Sequence, residues 1–216
     1  MILGIYGAGA LGREILEIAR DINSTSDRWE DFVYLVDNSC ERSKDGLEIY
    51  SPEIFAKLKE SKEIIIAVGE PFAREQMMKK VLDLEIPLAH PLIHPSAKIN
   101  SNCQIGMGTV IGYSTIVSFD AQIGNNVYIQ PGCGVGHEAS IGRNCVISAG
   151  VRIAGCVSIG KNTYIGLSVP VRDRISIGQG CIVSMGSVVQ RDIPDNMIAM
   201  GNPARPMKPN DEHKLF

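Results

Sequence analysis

Gln122-Ile123-Gly124-Asn125-Asn126-Val127-Tyr128-Ile129-Gln130-Pro131-Gly132-Cys133-Gly134-Val135-Gly136-His137 carries Ile or Val at every sixth position. The pattern extends both ways without a slip, from Ile99 to Val189, and all sixteen positions are Ile or Val. Glycine follows eight of them, and the fourth residue after each is mostly small or β-branched, as at Cys103, Thr109, Thr115, Ala121, Val127 and Cys133. A hexapeptide period of this kind is the mark of a parallel β-helix, in which three hexads, about 18 residues, make one coil. The branched aliphatic fills a narrow prism, the small residue fits beside it, and glycine serves turns where a side chain would clash.

The composition agrees with that core. Of 216 residues, 44% are hydrophobic but only 6% aromatic, and 22 are glycine. With 21% charged residues the chain buries a core and is not disordered. A net charge of −3 and a pI near 5.8 give no electrostatic case for nucleic acid or anionic lipid. The longest plain apolar run, Ile64–Val68, is far short of the roughly 20 residues of a membrane span. Met1-Ile2-Leu3-Gly4-Ile5-Tyr6-Gly7 has no basic segment before its apolar stretch, so it reads as a buried strand and not as a signal peptide.

Residues 1–95 follow another grammar. They hold 11 Lys+Arg against 17 Asp+Glu, while residues 96–216 hold 10 against 7, and Pro87, Pro91 and Pro95 punctuate the change. Strand signals at Ile2–Tyr6, Val33–Val36 and Ile64–Val68 alternate with helix signals at Arg13–Ile22, Pro52–Glu60 and Pro71–Leu84. Ser51 is the expected N-cap of the second helix, with Pro52 at its first position. Such alternation predicts a Rossmann-like parallel sheet in residues 1–95, ahead of the β-helix in 96–216. Cys103, Cys133, Cys145 and Cys181 occupy the small inward slot and read as core. Cys40 and Cys156 lie outside it without metal spacing, consistent with free thiols in a reducing cytoplasm.

Gly7-Ala8-Gly9-Ala10-Leu11-Gly12-Arg13-Glu14, Leu92-Ile93-His94-Pro95-Ser96-Ala97, Gly136-His137-Glu138 and Gly201-Asn202-Pro203-Ala204-Arg205, in that order around the repeat, resemble the left-handed β-helix sugar acetyltransferases. The resemblance is to the sialic acid O-acetyltransferase and nucleotide-sugar N-acetyltransferase (NeuD/PglD-like) family, and it covers nearly the whole chain. It implies a left-handed coil, a homotrimer, acetyl-CoA as co-substrate with no metal, and a sugar or nucleotide-sugar acceptor in surface glycan biosynthesis. O-acetylation of a sialic acid, and a non-catalytic sugar-nucleotide-binding role, are the alternatives. A γ-carbonic-anhydrase-like hydratase needs three histidine ligands, and the repeat holds one histidine.

That histidine, His137, sits outside the apolar slots beside a turn. An imidazole is matched to removing a proton from a sugar amine or hydroxyl near pH 7. Glu138 is positioned to orient it, with an Asp or Asn of a neighbouring subunit as the competing orienter. Inward-pointing prism cysteines leave no nucleophile, which favours direct transfer. Some relatives carry a second, donor-contacting histidine nine residues on, where this chain has Val146. The resemblance further implies coenzyme contacts at Val146, Gly155, Leu167, Met185 and Arg205, with Lys208 beside it, and an oxyanion-binding N–H near Gly155. Gly7-x-Gly9-x-x-Gly12 follows a strand and opens a helix, the context for phosphate at a helix N-terminus. A residue count of about 95 leaves no room for a second nucleotide-binding half. The loop is therefore assigned to the acceptor by resemblance, at Gly9, Ala10, Leu11, Asp37, Asn38, Gly69 and Glu70. Many relatives have His where Leu11 stands.

Overall fold

The computed structural model describes residues 1–38 and 43–214. Cys40 lies outside the described residues. The N-terminal unit runs β1 (Ile2–Tyr6), α1 (Ala10–Ser26), β2 (Asp31–Leu35), β3 (Ser43–Lys44), β4 (Leu47–Tyr50), α2 (Pro52–Ala56), β5 (Lys62–Ile66) and α3 (Pro71–Asp83). Its sheet has the order β3-β4-β2-β1-β5, parallel except for the β3–β4 hairpin. The strand and helix alternation thus yields the expected parallel sheet. Ser51 caps α2 by accepting a bond from Ile54 N at 3.2 Å. The hairpin has no counterpart in the sequence reading, because its two-residue arm is too short for a period.

From Leu92 on, the chain coils as a left-handed parallel β-helix with three flat faces. Face 1 stacks Lys98–Ile99, Ile116–Val117, Gly134–Val135, Arg152–Ile153 and Pro170–Val171. Face 2 stacks Gln104–Ile105, Gln122–Ile123, Ser140–Ile141, Ser158–Ile159 and Ser176–Ile177. Face 3 stacks Leu92–Ile93, Val110–Ile111, Tyr128–Ile129, Val146–Ile147, Tyr164–Ile165 and Ile182–Val183. The second residue of each pair points inward, and Val117, Ile129, Ile147 and Ile165 are fully buried. Cys133, Cys145 and Cys181 share that interior, while Cys103 is half-buried in the first coil. Burial pushes the Cys133 and Cys145 thiols up to about 11 and about 12, so they pack as small apolar groups. Beyond Val189 the coil shortens. Ile193 pairs with Ile177 and Ala199 with Val183, each sixteen residues apart. Met197–Met200 then pairs antiparallel with Arg205–Pro209, which covers the open end of face 3.

The outward residues of the faces decide what docks where. Face 2 presents Gln104, Gln122, Ser140, Ser158 and Ser176, whereas face 3 presents Leu92, Val110, Tyr128 and Val146. These four are fully buried against Ile15, Ile18 and Ile22 of α1, which the N-terminal sheet covers from the other side. Each such apolar side chain contributes about 1.5–3 kcal/mol when removed from water.

A second joint is polar. Arg74 of α3 is fully buried and donates to Ile66 O (3.0 Å), Val68 O (2.8 Å), Asn126 O (2.9 Å) and Asn126 Oδ1 (2.7 Å). Asn126 donates to Asn144 Oδ1 at 2.9 Å, Asn144 to Asn162 Oδ1 at 2.9 Å, and Asn162 to Glu75 Oε2 at 2.7 Å. The three asparagines occupy the same left-handed turn position in successive coils, with φ of 56°, 61° and 58°. Burial pulls the Arg74 guanidinium down to about 10, still charged at neutral pH. Asn144→Gly keeps that backbone conformation but leaves two buried partners unpaired. Its unfolding free energy in a denaturant titration is expected to fall by about 1–3 kcal/mol. Asn144→Ala is expected to lose about 1 kcal/mol more, from the strain of a Cβ in the left-handed region.

Candidate active site

His137 stands at the edge between faces 1 and 2, the edge opposite face 3. Because coils repeat every 18 residues, it lies between Phe119 in the preceding coil and Gly155 in the next. The Phe119 and His137 rings stack with centroids 5.4 Å apart and planes 12° apart. With the ring in this position only glycine fits above it: a Cβ on Gly155 would lie 2.4 Å from His137 Nε2. Glu138 takes the left-handed turn position and its Oε2 lies 3.0 Å from His137 Nδ1. Within the chain, the residue next in sequence is thus placed to orient the ring. An ionised carboxylate only accepts, so Nδ1 carries the proton and Nε2 holds the free lone pair. The bond from His137, then one from Cys156, hold the Glu138 carboxyl below its usual range. It stays ionised wherever an imidazole titrates.

Cys156, 18 residues after Glu138, completes the edge and donates weakly to Glu138 Oε2 at 3.6 Å. Its place here was missed in the sequence, although the coil spacing gives it away. The thiol is pushed up by loss of solvent, then by the Glu138 carboxylate, so it is a poor nucleophile. Its hydrogen-bond partner is also the carboxylate and not the imidazole.

The glycine loop lies at the carboxyl edge of the parallel sheet, where β1 is flanked by β2 and β5 and the strand order reverses. Gly7 has φ 122°, and a Cβ there would meet Ala67 O at 2.6 Å. A Cβ on Gly12 would meet Gly7 O at 1.9 Å, so α1 packs close only because Gly12 has none. Gly9 faces open space, caps α1 without a side-chain bond, and no acidic residue follows in the first turn. Free N–H groups and the helix dipole there suit an anion. Lys44 bridges the loop at Ala8 O (2.5 Å).

The structure gathers Gly9, Ala10, Leu11, Asp37, Asn38, Gly69 and Glu70 on this one edge. Asp37 is already engaged: its Oδ1 accepts from Tyr6 OH (2.6 Å) and Lys80 Nζ (2.5 Å), with Lys80 also 2.8 Å from Glu53. Lys80, then Tyr6, lower the Asp37 carboxyl against the opposing effect of burial, which is the largest single influence.

The coenzyme positions do not assemble in one chain. Val146 requires correction: it points outward on face 3, fully buried under α1, and touches no solvent. Leu167 and Met185 stack one coil apart on the edge between faces 3 and 1, 46% and 71% exposed, in line with Tyr113. Gly155 is on His137's edge, and Arg205 and Lys208 are exposed on the last strand. Gly155→Ala is expected to swing the imidazole off Phe119. Loss of the ring-current shift on the His137 proton resonances would report this, with unfolding free energy changed by about 0.5 kcal/mol or less.

Residues 3–81 match the PglD N-terminal domain, residues 120–155 the bacterial transferase hexapeptide (six repeats), and residues 156–191 the hexapeptide repeat of succinyl-transferase. No curated protein matches by sequence. The acetyltransferase domain of PglB from Neisseria gonorrhoeae FA1090, in complex with acetyl coenzyme A, is 28% identical with a TM-score of 0.87, over 95% of this chain and 98% of that one. WeeI from Acinetobacter baumannii AYE is 26% identical with a TM-score of 0.87, over 96% and 100%. PerB from Caulobacter crescentus, in complex with CoA and GDP-perosamine, shares the fold at 24% identity and a TM-score of 0.85, over 96% and 98%. With a PglD N-terminal domain leading into transferase hexapeptide coils, and whole-chain likeness to acetyltransferases, the chain is similar to the NeuD/PglD-like hexapeptide-repeat sugar acetyltransferases.

Proposed function

We propose that the chain transfers the acetyl group of acetyl-CoA directly to an amino group of a nucleotide-linked sugar, with His137 as general base. The observation that carries this reading is the His137–Glu138 pair, which leaves Nε2 unprotonated on an exposed edge. The amine nitrogen attacks the thioester carbon and its proton passes to Nε2. The tetrahedral intermediate then expels the coenzyme thiolate, which takes up that proton, giving amide and free thiol. The Gly155 N–H, which has no acceptor among the described residues, is the oxyanion donor of this proposal. The uncapped α1 N-terminus beside Gly9 favours an acceptor bearing phosphate over a free sugar. The PglB domain holds acetyl coenzyme A, and the Caulobacter protein of the same fold holds CoA and GDP-perosamine together. No helix among the described residues is long and apolar enough to cross a membrane. A cytoplasmic place in surface glycan biosynthesis accords with the donor and with free thiols.

The reading needs more than one copy of the chain. His137 is on the edge opposite face 3, and the glycine loop belongs to the unit docked on face 3. A homotrimer that sets one prism's His137 edge beside its neighbour's Leu167–Met185 edge joins base, coenzyme arm and acceptor cradle. His137→Ala is expected to lower kcat about 10²–10⁴-fold with coenzyme binding retained. A near wild-type rate would refute the general-base assignment. Gly9→Glu, which places a carboxylate in the anion cradle, is expected to abolish acceptor binding. Mixed with His137→Ala chains and allowed to reassemble, it is expected to regain about a quarter of wild-type activity, the fraction of sites drawing both intact parts from different chains of a cyclic trimer. No recovery would count against a shared site.

A further inference from the structure

We propose that His137, Glu138 and Cys156 form a binding site for a thiophilic divalent cation such as Zn²⁺, and that filling it switches acetyl transfer off. The second half rests on the general-base reading of His137; the first does not.

The three side chains offer one nitrogen, one oxygen and one sulfur donor, all within 4.8 Å of one another. Nδ1 and Oε2 are 3.0 Å apart, and Sγ and Oε2 are 3.6 Å apart. With Zn–N near 2.0 Å and Zn–S near 2.3 Å, tetrahedral ligands stand about 3.3–3.6 Å from one another, so small side-chain rotations complete the set. The backbone beneath them is fixed. Glu138 and Cys156 hold the same left-handed position in adjacent coils, with φ of 56° and 58°, and Cys156 N donates to His137 O at 2.8 Å. Phe119 braces the ring from the other side. Carboxylate and thiolate together carry two negative charges, matching a divalent ion. The nearby Arg174, whose charge is felt at both Glu138 and Cys156, is itself paired with Asp173 at 3.8 Å. The edge is exposed, which leaves a fourth coordination position for water.

The consequence for catalysis is one of tautomers. A metal on Nδ1 uses the lone pair of that nitrogen, so the ring proton must sit on Nε2. The thiol proton is released to solvent, the ring proton moves from Nδ1 to Nε2, and Glu138 exchanges its hydrogen bond for a metal bond. Nε2 then carries a hydrogen and cannot accept one from the attacking amine. Cys156 takes no part in the transfer step; in the metal-free protein it gives Glu138 one weak hydrogen bond, which the hydroxyl of Cys156→Ser supplies equally.

Co²⁺ added to the intact oligomer tests the ligand set, because a cysteine–cobalt bond gives a near-ultraviolet charge-transfer band. One such band per chain is expected, displaced by Zn²⁺ and lost in Cys156→Ser. No band, or an unchanged band in Cys156→Ser, would overturn the site. Zn²⁺ is expected to inhibit wild-type transfer in step with occupancy, with full recovery on adding EDTA. Cys156→Ser is expected to keep its metal-free rate and to need at least tenfold more Zn²⁺ for the same inhibition. A Cys156-dependent band together with undiminished transfer at full occupancy would overturn the switch and the general-base reading, while the metal site itself would stand.

Discussion

Adjacent coils of the prism are held one strand spacing apart, about 4.8 Å, by bonds such as Gly136 N to Ile153 O at 2.8 Å. That separation governs what an edge can carry. Two flat rings can lie on each other, as Phe119 and His137 do, but a third layer with a side chain collides, so position 155 is glycine. The same spacing lets one amide reach the next in the asparagine ladder and brings Cys156 next to Glu138. Packing of the interior and chemistry at the edge therefore answer to one repeat distance. The His137 ring is thus oriented by Phe119 in the adjacent coil and by Glu138 beside it.

Face 3 differs from face 2 in the chemistry of its outward residues. Where face 2 shows Gln and Ser to solvent, face 3 shows Leu, Val and Tyr, and α1 lies against them. The apolar joint supplies affinity without direction, since sliding one rung would still bury Val against Ile. Arg74 supplies the direction. Its guanidinium is held by four bonds to carbonyl oxygens of Ile66, Val68 and Asn126, an arrangement that tolerates no displacement.

Much of this was legible before any coordinates. Sixteen aliphatic positions at period six can only close into a coil, and His137 stands out because it is polar, single and off that period. The pairing with Glu138 required the turn geometry, since along a strand neighbours point to opposite sides. Phe119 and Cys156 lie off the aliphatic period, and only a count of 18 residues along the edge, from His137 and from Glu138, finds them. Val146 was misplaced because carrying over a position ignores which face a neighbouring unit covers. Asn126, Asn144 and Asn162 are also 18 apart in the sequence. Their partner Arg74 is not, since a contact across 52 residues leaves no local signal.

The two ends of the asparagine ladder are held by consecutive residues of one helix. Arg74 can only donate and meets the first carboxamide oxygen; Glu75 can only accept and meets the last carboxamide nitrogen. Every amide between them is forced into a single orientation, with all its dipoles aligned. Three rungs span two coil spacings, about 10 Å, which is the reach of the two side chains in opposite directions from α3. The helix thus works as a caliper that measures coils. Adding or removing a coil within residues 126–162 would leave the interior perfectly packed, yet the caliper would no longer close, and the N-terminal unit would lose its register along the prism.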